Sequence, residues 1–151
     1  MVHYDVVVVG MGPAGALAAF ELSRLGRRVL AIEQAPFPQF KISGGVLTVR
    51  ASKLIPFDFS GEIEQVIHGV TLNLRGEARF TFESPRPIAY TLSRDRFDFL
   101  LVSKAKESGA LVLDKVSLLD WVEEEDQVRV FTSMGEWRCD YLIGADGANS
   151  L

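Results

Sequence analysis

The chain begins with the pattern that most constrains its fold, a β-branched run followed directly by a glycine-rich turn. Residues 6–9 are all valine, and the next six residues read Gly10-Met11-Gly12-Pro13-Ala14-Gly15. The first glycine permits a tight turn, the second lets the backbone approach a pyrophosphate, and the third allows close helix–strand packing. Free N–H groups at the start of the following helix suit phosphate oxygens. The pattern predicts a dinucleotide-binding unit whose site contains Gly10, Gly12, Pro13, Ala14 and Gly15.

An acid stands where such a unit needs one, at the end of the second predicted strand. Glu33 closes the apolar run over residues 28–33 and follows the turn at nearly the spacing of about 20 residues that the motif requires. Its carboxylate would accept hydrogen bonds from the ribose hydroxyls of an adenosine, and its charge would repel a 2′-phosphate. We therefore expect FAD or NAD rather than NADP, with Gln34 beside Glu33 in the site.

The remaining patterns predict an α/β fold. The first helix is expected to carry Ala14, Leu17, Ala18, Leu22 and Leu25 on one face and to end at Gly26. A short helix is predicted over residues 46–55, a longer one over 94–108 with Ser93 as its N-cap, and a third parallel strand over 110–113. Residues 69–92 alternate with a period of two, which predicts antiparallel strands.

The last part of the chain predicts a small antiparallel meander. Its strands are expected at residues 116–122, 127–132 and 137–139, and residues 140–144 are expected to return to the parallel sheet. We therefore interpret residues 1–151 as one Rossmann-like domain, a parallel sheet with helices. Residues 56–92 form an inserted, partial substrate-domain sheet in this interpretation, and residues 116–139 form a β-meander.

A second glycine-bearing segment ends the chain, reading Gly144-Ala145-Asp146-Gly147-Ala148-Asn149-Ser150. Together with the first turn, it resembles the FAD site of the flavoprotein group that includes aromatic-ring hydroxylases, flavin halogenases and geranylgeranyl reductases. The resemblance implies an FAD/NAD(P)-binding Rossmann-like fold, with Ala145, Asp146 and Gly147 beside the cofactor phosphates. The segment is also associated with reduced nicotinamide in that group, which makes NAD(P)H a candidate electron donor.

Two further positions match the same flavoprotein group. Arg94 opens the segment Arg-Asp-Arg-Phe-Asp, and the resemblance implies fork-like hydrogen bonds from its guanidinium to phosphate or ribityl oxygens. The alternative is an ion pair between Arg94 and Asp98, one helical turn away. Val116 matches a position whose backbone contacts adenine, with an ordinary core valine as the alternative.

The loop Lys41-Ile42-Ser43-Gly44-Gly45 resembles the Lys-x-Cys-Gly-Gly pattern of geranylgeranyl reductases, which is followed by an Arg-Ala pair. This resemblance implies that Lys41, Ser43, Gly44 and Gly45 belong to the cofactor site, on the side of the flavin and an isoprenoid. Ser43 stands where many reductases have cysteine, so a thiol-dependent role is in doubt, although its hydroxyl can still form hydrogen bonds. A purely structural glycine turn is the alternative.

The resemblance implies an FAD-dependent oxidoreductase that saturates isoprenoid double bonds, with the flavin carrying the redox chemistry and no catalytic side chain assigned. A flavin-dependent monooxygenase or halogenase is the first alternative, and a non-catalytic nucleotide-binding module is the second. Members of the group continue beyond the Asp-Gly segment. We therefore expect the 151 residues to be the N-terminal part only, either a fragment or a natural truncation, and to retain FAD weakly.

Composition narrows the class of partner. A net charge of −4 and a pI near 5.2 disfavour a nucleic-acid surface. Cys139 is the single cysteine, which excludes an internal disulfide and a cysteine-based metal site. The start of the chain has no basic region typical of a secretory signal, and no apolar stretch approaches the ~20 residues of a membrane span. We expect a cytoplasmic protein with a small-molecule substrate, an isoprenoid lipid being one candidate, and with peripheral membrane contact left open.

Overall fold

The computed structural model describes residues 2–148 and 150. In chain order the elements are β1 (His3–Val9), α1 (Pro13–Arg24), β2 (Val29–Glu33), β3 (Val46–Thr48), α2 (Val49–Ser52), a 3₁₀ turn (Ser60–Glu62), β4 (Ile63–Ile67), β5 (Gly69–Leu74), β6 (Ala78–Glu83), β7 (Ala89–Leu92), α3 (Arg94–Glu107), β8 (Leu111–Asp114), β9 (Leu118–Glu123), β10 (Val128–Thr132) and β11 (Gly135–Gly144). They fall into two units, the first from residues 1–39 and 98–151 and the second from residues 40–97.

The first unit is built on a six-stranded sheet in the order β8-β2-β1-β11-β10-β9. Strands β8, β2, β1 and β11 run parallel, whereas β10 and β9 continue the sheet in antiparallel pairing. The register pairs Val9 with both Ile32 and Gly144, and Glu33 with Asp114. The carboxyl ends of the parallel strands therefore meet at one edge of the sheet, where ligands of such sheets bind.

The core of the first unit confirms the predicted parallel strands. Residues 6–9 are buried, as is all of β2, because both faces of a parallel sheet are covered. One face carries a buried cluster formed by Val7, Val9, Leu30, Ile32, Val116, Val130 and Cys139. Helix α3 adds Leu101, Val102 and Ala105 to the core, and its bounds agree with the predicted helix over residues 94–108.

The apolar face predicted for α1 is only partly buried, because Leu17, Ala18 and Leu22 are half-buried. Leu25 is 70% exposed and Ala14 is exposed, whereas the buried positions are Gly15, Ala16, Ala19 and Ser23. Because the glycine turn fixes the rotation of α1 about its axis, this side of the helix faces β1 and β2. Small side chains on that side allow a close approach, so size rather than hydrophobicity decides which residues are buried.

The predicted return of residues 140–144 to the parallel sheet is confirmed, and it occurs without interrupting the last strand of the meander. Residues 135–144 form one ten-residue strand, β11. Its partner in the meander, β10, runs antiparallel, while β1 on the other side runs parallel over residues 138–144. A single strand can satisfy both neighbours because its two edges offer separate rows of hydrogen-bonding groups.

The second unit contains two antiparallel sheets rather than the single predicted one, β3-β7-β4 and the hairpin β5-β6. The predicted helix over residues 46–55 is wrong at its start, because Val46–Thr48 pair with β7 instead. The helix is limited to Val49–Ser52, whose N-cap Thr48 accepts a hydrogen bond from the N–H of Ala51 at 3.2 Å. Strand β4 was not predicted. One face of the hairpin carries five exposed apolar side chains, Val70, Leu72, Leu74, Phe80 and Phe82.

Candidate functional site

The two glycine-bearing turns of the first unit lie against each other at the carboxyl ends of β1 and β11. Gly10 has a φ of +88°, and a Cβ atom there would lie 2.6 Å from the carbonyl oxygen of Ala145 and 2.6 Å from the Cα of Asp146. The N–H of Ala145 donates to the carbonyl of Val9 at 2.7 Å. Only glycine permits this approach, because a side chain at residue 10 would displace the backbone of the second turn. The fold thus brings the two sequence motifs to one place.

The first turn of α1 forms a cradle of backbone donors. Gly12 is the N-cap, Pro13 is the first helical residue, and no side chain among the described residues caps this end. Gly15 is buried, and a Cβ atom there would overlap the carbonyl oxygen of Gly10. Ala14 is exposed. Because the N–H groups of a first turn lack intrahelical acceptors and the helix dipole adds positive charge, this cradle fits a phosphate group.

Glu33 places a carboxylate beside the same turn. Its side chain is nearly buried at 7% exposure. One carboxylate oxygen, Oε2, accepts a hydrogen bond from the N–H of Met11 at 2.9 Å, and the other, Oε1, accepts from the N–H of Ala35 at 3.2 Å. These bonds fix the orientation of the group, and each oxygen retains acceptor capacity for a hydroxyl donor. Gln34 lies exposed next to it. The arrangement fits the two ribose hydroxyls of an adenosine.

Two further predicted positions lie at the same sheet edge. Val116 has its side chain in the buried cluster, and its N–H donates to the carbonyl of Glu33 at 2.9 Å. Since that N–H is already used, only the carbonyl of Val116 is left for the predicted adenine contact. Asp146 is half-buried and Gly147 is exposed beyond the second turn. Of the predicted motif, residue 149 lies outside the described residues.

The second unit brings the other group of predicted residues into one cleft. Lys41, Ser43, Gly44 and Arg94 line a cleft of about 350 Å³. Its lining also includes Phe40, Ile42, Glu64, Leu92, Ser93 and Asp95. The cleft therefore combines two cations, two acids and exposed apolar side chains, among which Ile42 is 97% exposed and Phe40 is 87% exposed. The cofactor-binding roles assigned from the sequence to Lys41, Ser43, Gly44, Gly45 and Arg94 stay predictions.

The glycine loop of this cleft is fixed to the end of β7 by its backbone. Gly45 has a φ of +61°, and a Cβ atom there would overlap the carbonyl oxygen of Leu92. The N–H of Leu92 donates to the carbonyl of Gly45 at 2.9 Å, and the N–H of Gly45 donates to the Ser43 hydroxyl at 3.1 Å. The hydroxyl of Ser43 thus accepts a hydrogen bond from the backbone of the loop. This role requires a side chain with an acceptor atom at residue 43.

The other side of the cleft is the start of α3. The hydroxyl of Ser93 donates a hydrogen bond to the carboxylate of Asp95, and the N–H of Phe97 donates to the Ser93 carbonyl at 2.9 Å. The hydroxyl of Ser93, followed by the N–H of Arg96, lowers the pKa of Asp95 below its usual value. Asp95 therefore stays ionised in the first turn, where a negative charge complements the helix dipole.

Sequence reasoning missed two residues that hold the first site together. Met11 contributes a backbone N–H to Glu33, which no side-chain pattern reveals. Asp114, at the end of β8, accepts a hydrogen bond on Oδ2 from the N–H of Phe37 at 3.2 Å. The sequence did contain a signal for Asp114. It is an acid at the end of the third predicted parallel strand, as Glu33 is at the end of the second.

Within residues 2–148 and 150, no three His, Cys, Asp or Glu side chains come together as a metal ion would require. None of the helices in that part of the chain has the length and apolar character needed to cross a membrane.

Comparison with known proteins places this geometry in context. The sequence model of the family described as FAD binding domain matches residues 3–151. An uncharacterised protein of Methanosarcina barkeri is 32% identical over 151 residues, covering 100% of this chain and 39% of that protein. The chain thus spans about two fifths of the length of the curated relatives it matches.

Two solved structures share the fold. A geranylgeranyl bacteriochlorophyll reductase-like protein of Thermoplasma acidophilum superposes with a TM-score of 0.81 at 26% identity, covering 96% of this chain and 39% of that one. The flavin-dependent brominase Bmp2 superposes with a TM-score of 0.77 at 28% identity, covering 98% of this chain and 39% of that one. Both similarities run along nearly the whole of the present chain, so the fold expected from the sequence is confirmed.

Proposed function

Because the chain belongs to the FAD-binding domain family, we propose that it is the part of an FAD-dependent oxidoreductase that holds the adenosine diphosphate half of the cofactor. The observation that carries this proposal is the meeting of the two glycine turns beside the anchored carboxylate of Glu33. Backbone donors at a helix start and a nearby ribose acceptor are the two features that adenosine diphosphate requires.

Each part of the cofactor has a candidate partner in this proposal. The first turn of α1, opened by Gly12, would hold the diphosphate, and the adjoining turn of Ala145, Asp146 and Gly147 would lie beside it. Glu33 binds the ribose, and the carbonyl of Val116 is offered to adenine. FAD supplies hydride or electron transfer at its flavin ring, while the protein supplies binding, orientation and electrostatics.

The finer proposal is that the oxidoreductase reduces isoprenoid double bonds, with NAD(P)H as electron donor. It is supported by the loop of residues 41–45, which resembles that of geranylgeranyl reductases, and by the similarity to the Thermoplasma reductase-like protein. The exposed side chains of Phe40 and Ile42 give the cleft of the second unit an apolar rim suited to a hydrocarbon chain. We propose a cytoplasmic location with access to a membrane surface for such a substrate.

A flavin-dependent monooxygenase or halogenase is the second candidate, and the 28% identity to a flavin-dependent brominase favours it. The two candidates differ in what the reduced flavin protein does. A reductase yields a product with one double bond fewer, whereas a monooxygenase or halogenase consumes oxygen. Product analysis by mass spectrometry and oxygen uptake by the reduced protein separate them, and neither result is expected from a non-catalytic nucleotide-binding module.

The nucleotide proposal is tested by titrating the 151-residue chain with adenosine diphosphate in a calorimeter. Glu33→Gln keeps an oxygen for the N–H of Met11 but removes the charge, the acceptor for the N–H of Ala35 and one ribose acceptor. Loss of charged hydrogen bonds predicts a roughly 10- to 100-fold weaker affinity. Glu125→Gln, in the exposed turn between β9 and β10, is the matched control and leaves the affinity unchanged. Absent binding by the unsubstituted chain, or equal binding by Glu33→Gln, contradicts the proposal.

A further inference from the structure

A second acid shares the sheet edge with Glu33. The register of the parallel pair β2-β8 sets Glu33 directly opposite Asp114. Register partners in a sheet point to the same face, and neighbouring strands lie ~4.8 Å apart. Unlike Glu33, Asp114 is exposed. A ligand group held by the carboxylate of Glu33 on this face therefore also meets the field of the Asp114 carboxylate.

Asp114 also fixes the loop that follows Glu33. Its Oδ2 accepts from the N–H of Phe37 at 3.2 Å, while Glu33 accepts from the N–H of Ala35 and its carbonyl accepts from Val116. Three hydrogen bonds thus hold residues 33–37. Two of them come from the end of β8 and the residues after it, namely from Asp114 and Val116. Removal of the Asp114 acceptor leaves Phe37 without this bond, so the loop beside the ribose acceptor loses one of its constraints.

Resting on the proposed adenosine site, we propose that Asp114 is a positioning and specificity-determining residue for the adenosine ribose. As an acceptor it holds residues 34–37 in place for a ribose bound at Glu33. As a second negative charge it disfavours a nucleotide that carries a phosphate on the ribose 2′-hydroxyl. Lys106 places a cation beside this loop, with its Nζ 5.9 Å from the ring centre of Phe37. Neutralising Asp114 leaves that cation to attract such a phosphate.

Two substitutions separate the roles. Asp114→Asn keeps an oxygen that can accept from the N–H of Phe37 but removes the charge, whereas Asp114→Ala removes both. We expect Asp114→Asn to bind adenosine diphosphate within about twofold of the unsubstituted chain, and Asp114→Ala to bind it roughly 2- to 10-fold more weakly. Both variants should improve the affinity for 2′-phosphoadenosine 5′-diphosphate relative to adenosine diphosphate by about 3- to 10-fold.

The measurement is calorimetric titration of the 151-residue chain with both nucleotides, at low and at high ionic strength. Asp126→Asn, in the exposed turn before β10, is the matched control. The change in the affinity ratio shrinks at high ionic strength if charge causes it, which a purely structural effect would not show. If Asp114→Ala does not fold, Asp114→Asn alone tests the effect of the charge. An unchanged ratio in Asp114→Asn overturns this inference and leaves the proposed function standing, whereas no nucleotide binding by the unsubstituted chain overturns both.

Discussion

Replacement of Gly10 by alanine tests the contact on which the whole nucleotide site depends. Gly10 has a φ of +88°, which an L-residue adopts at an expense of about 1–2 kcal/mol. The added Cβ would also lie 2.6 Å from the carbonyl oxygen of Ala145 and 2.6 Å from the Cα of Asp146. Both neighbours are backbone atoms, so no side-chain rotation relieves the overlap, and the second turn must move. Overpacking of this kind costs about 1–3 kcal/mol.

Together these effects predict that Gly10→Ala lowers the free energy of unfolding by about 2–5 kcal/mol. Small proteins lose about 1–3 kcal/mol per molar urea, so we expect the urea midpoint to fall by roughly 1–2 M. The hydrogen bond from Ala145 to the carbonyl of Val9 should weaken as the turns separate. Affinity for adenosine diphosphate should therefore fall in the fraction of the chain that remains folded.

Gly26 provides a matched control for this experiment. It follows α1 with a φ of +79°, and no described atom lies within 4 Å of a Cβ atom built there. Gly26→Ala therefore carries the left-handed backbone strain without the overlap, and we expect a loss of about 1 kcal/mol. Urea unfolding followed by circular dichroism measures both variants. If Gly10→Ala is no more destabilising than Gly26→Ala, the close approach of the two turns is refuted.

Three further tests address the rest of the structure: a pair of glycine substitutions, a core substitution and a measurement of thiol reactivity. Gly45→Ala places a Cβ atom on the carbonyl of Leu92 at a φ of +61°, whereas no described atom lies within 4 Å of a Cβ atom at Gly44. We expect the first to lower the urea midpoint and Gly44→Ala to leave it within error. Leu101→Ala empties a fully buried site on α3 and should cost about 2–5 kcal/mol in the same assay. Burial raises the pKa of the Cys139 thiol to about 11. At pH 8 roughly one thiol in a thousand is then ionised, so alkylation should be slow in the native protein and fast in urea, and equal rates would contradict this.

The strand–turn–helix at the start of the chain could be predicted because every requirement is local. Glycines at three fixed positions, a proline at the helix start and a β-branched strand all favour the same backbone path. The orientation of α1 could not be predicted in the same way. Leu25 is apolar and lies outside the core, while Ser23 is buried, because close approach to the strands selects small residues.

Errors elsewhere share one cause, since partners distant in sequence decide the local structure. Residues 46–48 include the β-branched Val46 and Thr48, but a run of three residues is too short to predict a strand, and its pairing partners Thr91, Tyr90 and Ala89 lie far away in sequence. Residues 135–144 form one continuous strand because β10 pairs with its first half and β1 with its second half, so the meander strand and the predicted parallel strand are joined. Tertiary pairing of this kind decides the local structure where the sequence pattern is too short to do so.

The proposed function has two parts, nucleotide binding and substrate choice, and they depend on different features of the chain. The nucleotide site of the first unit is built from glycines, backbone groups and a carboxylate at strand ends, and these requirements follow from the phosphate and ribose groups themselves. A reductase-like protein and a brominase accordingly share this one fold. Substrate choice has no such fixed backbone signature. Among the described residues it is therefore to be sought in side chains of the second unit, where Phe40 and Ile42 rim the cleft and β5-β6 expose an apolar face. Substitutions at these positions that change the substrate should leave adenosine diphosphate binding unaffected. None of these residues belongs to the sheet edge that carries Glu33.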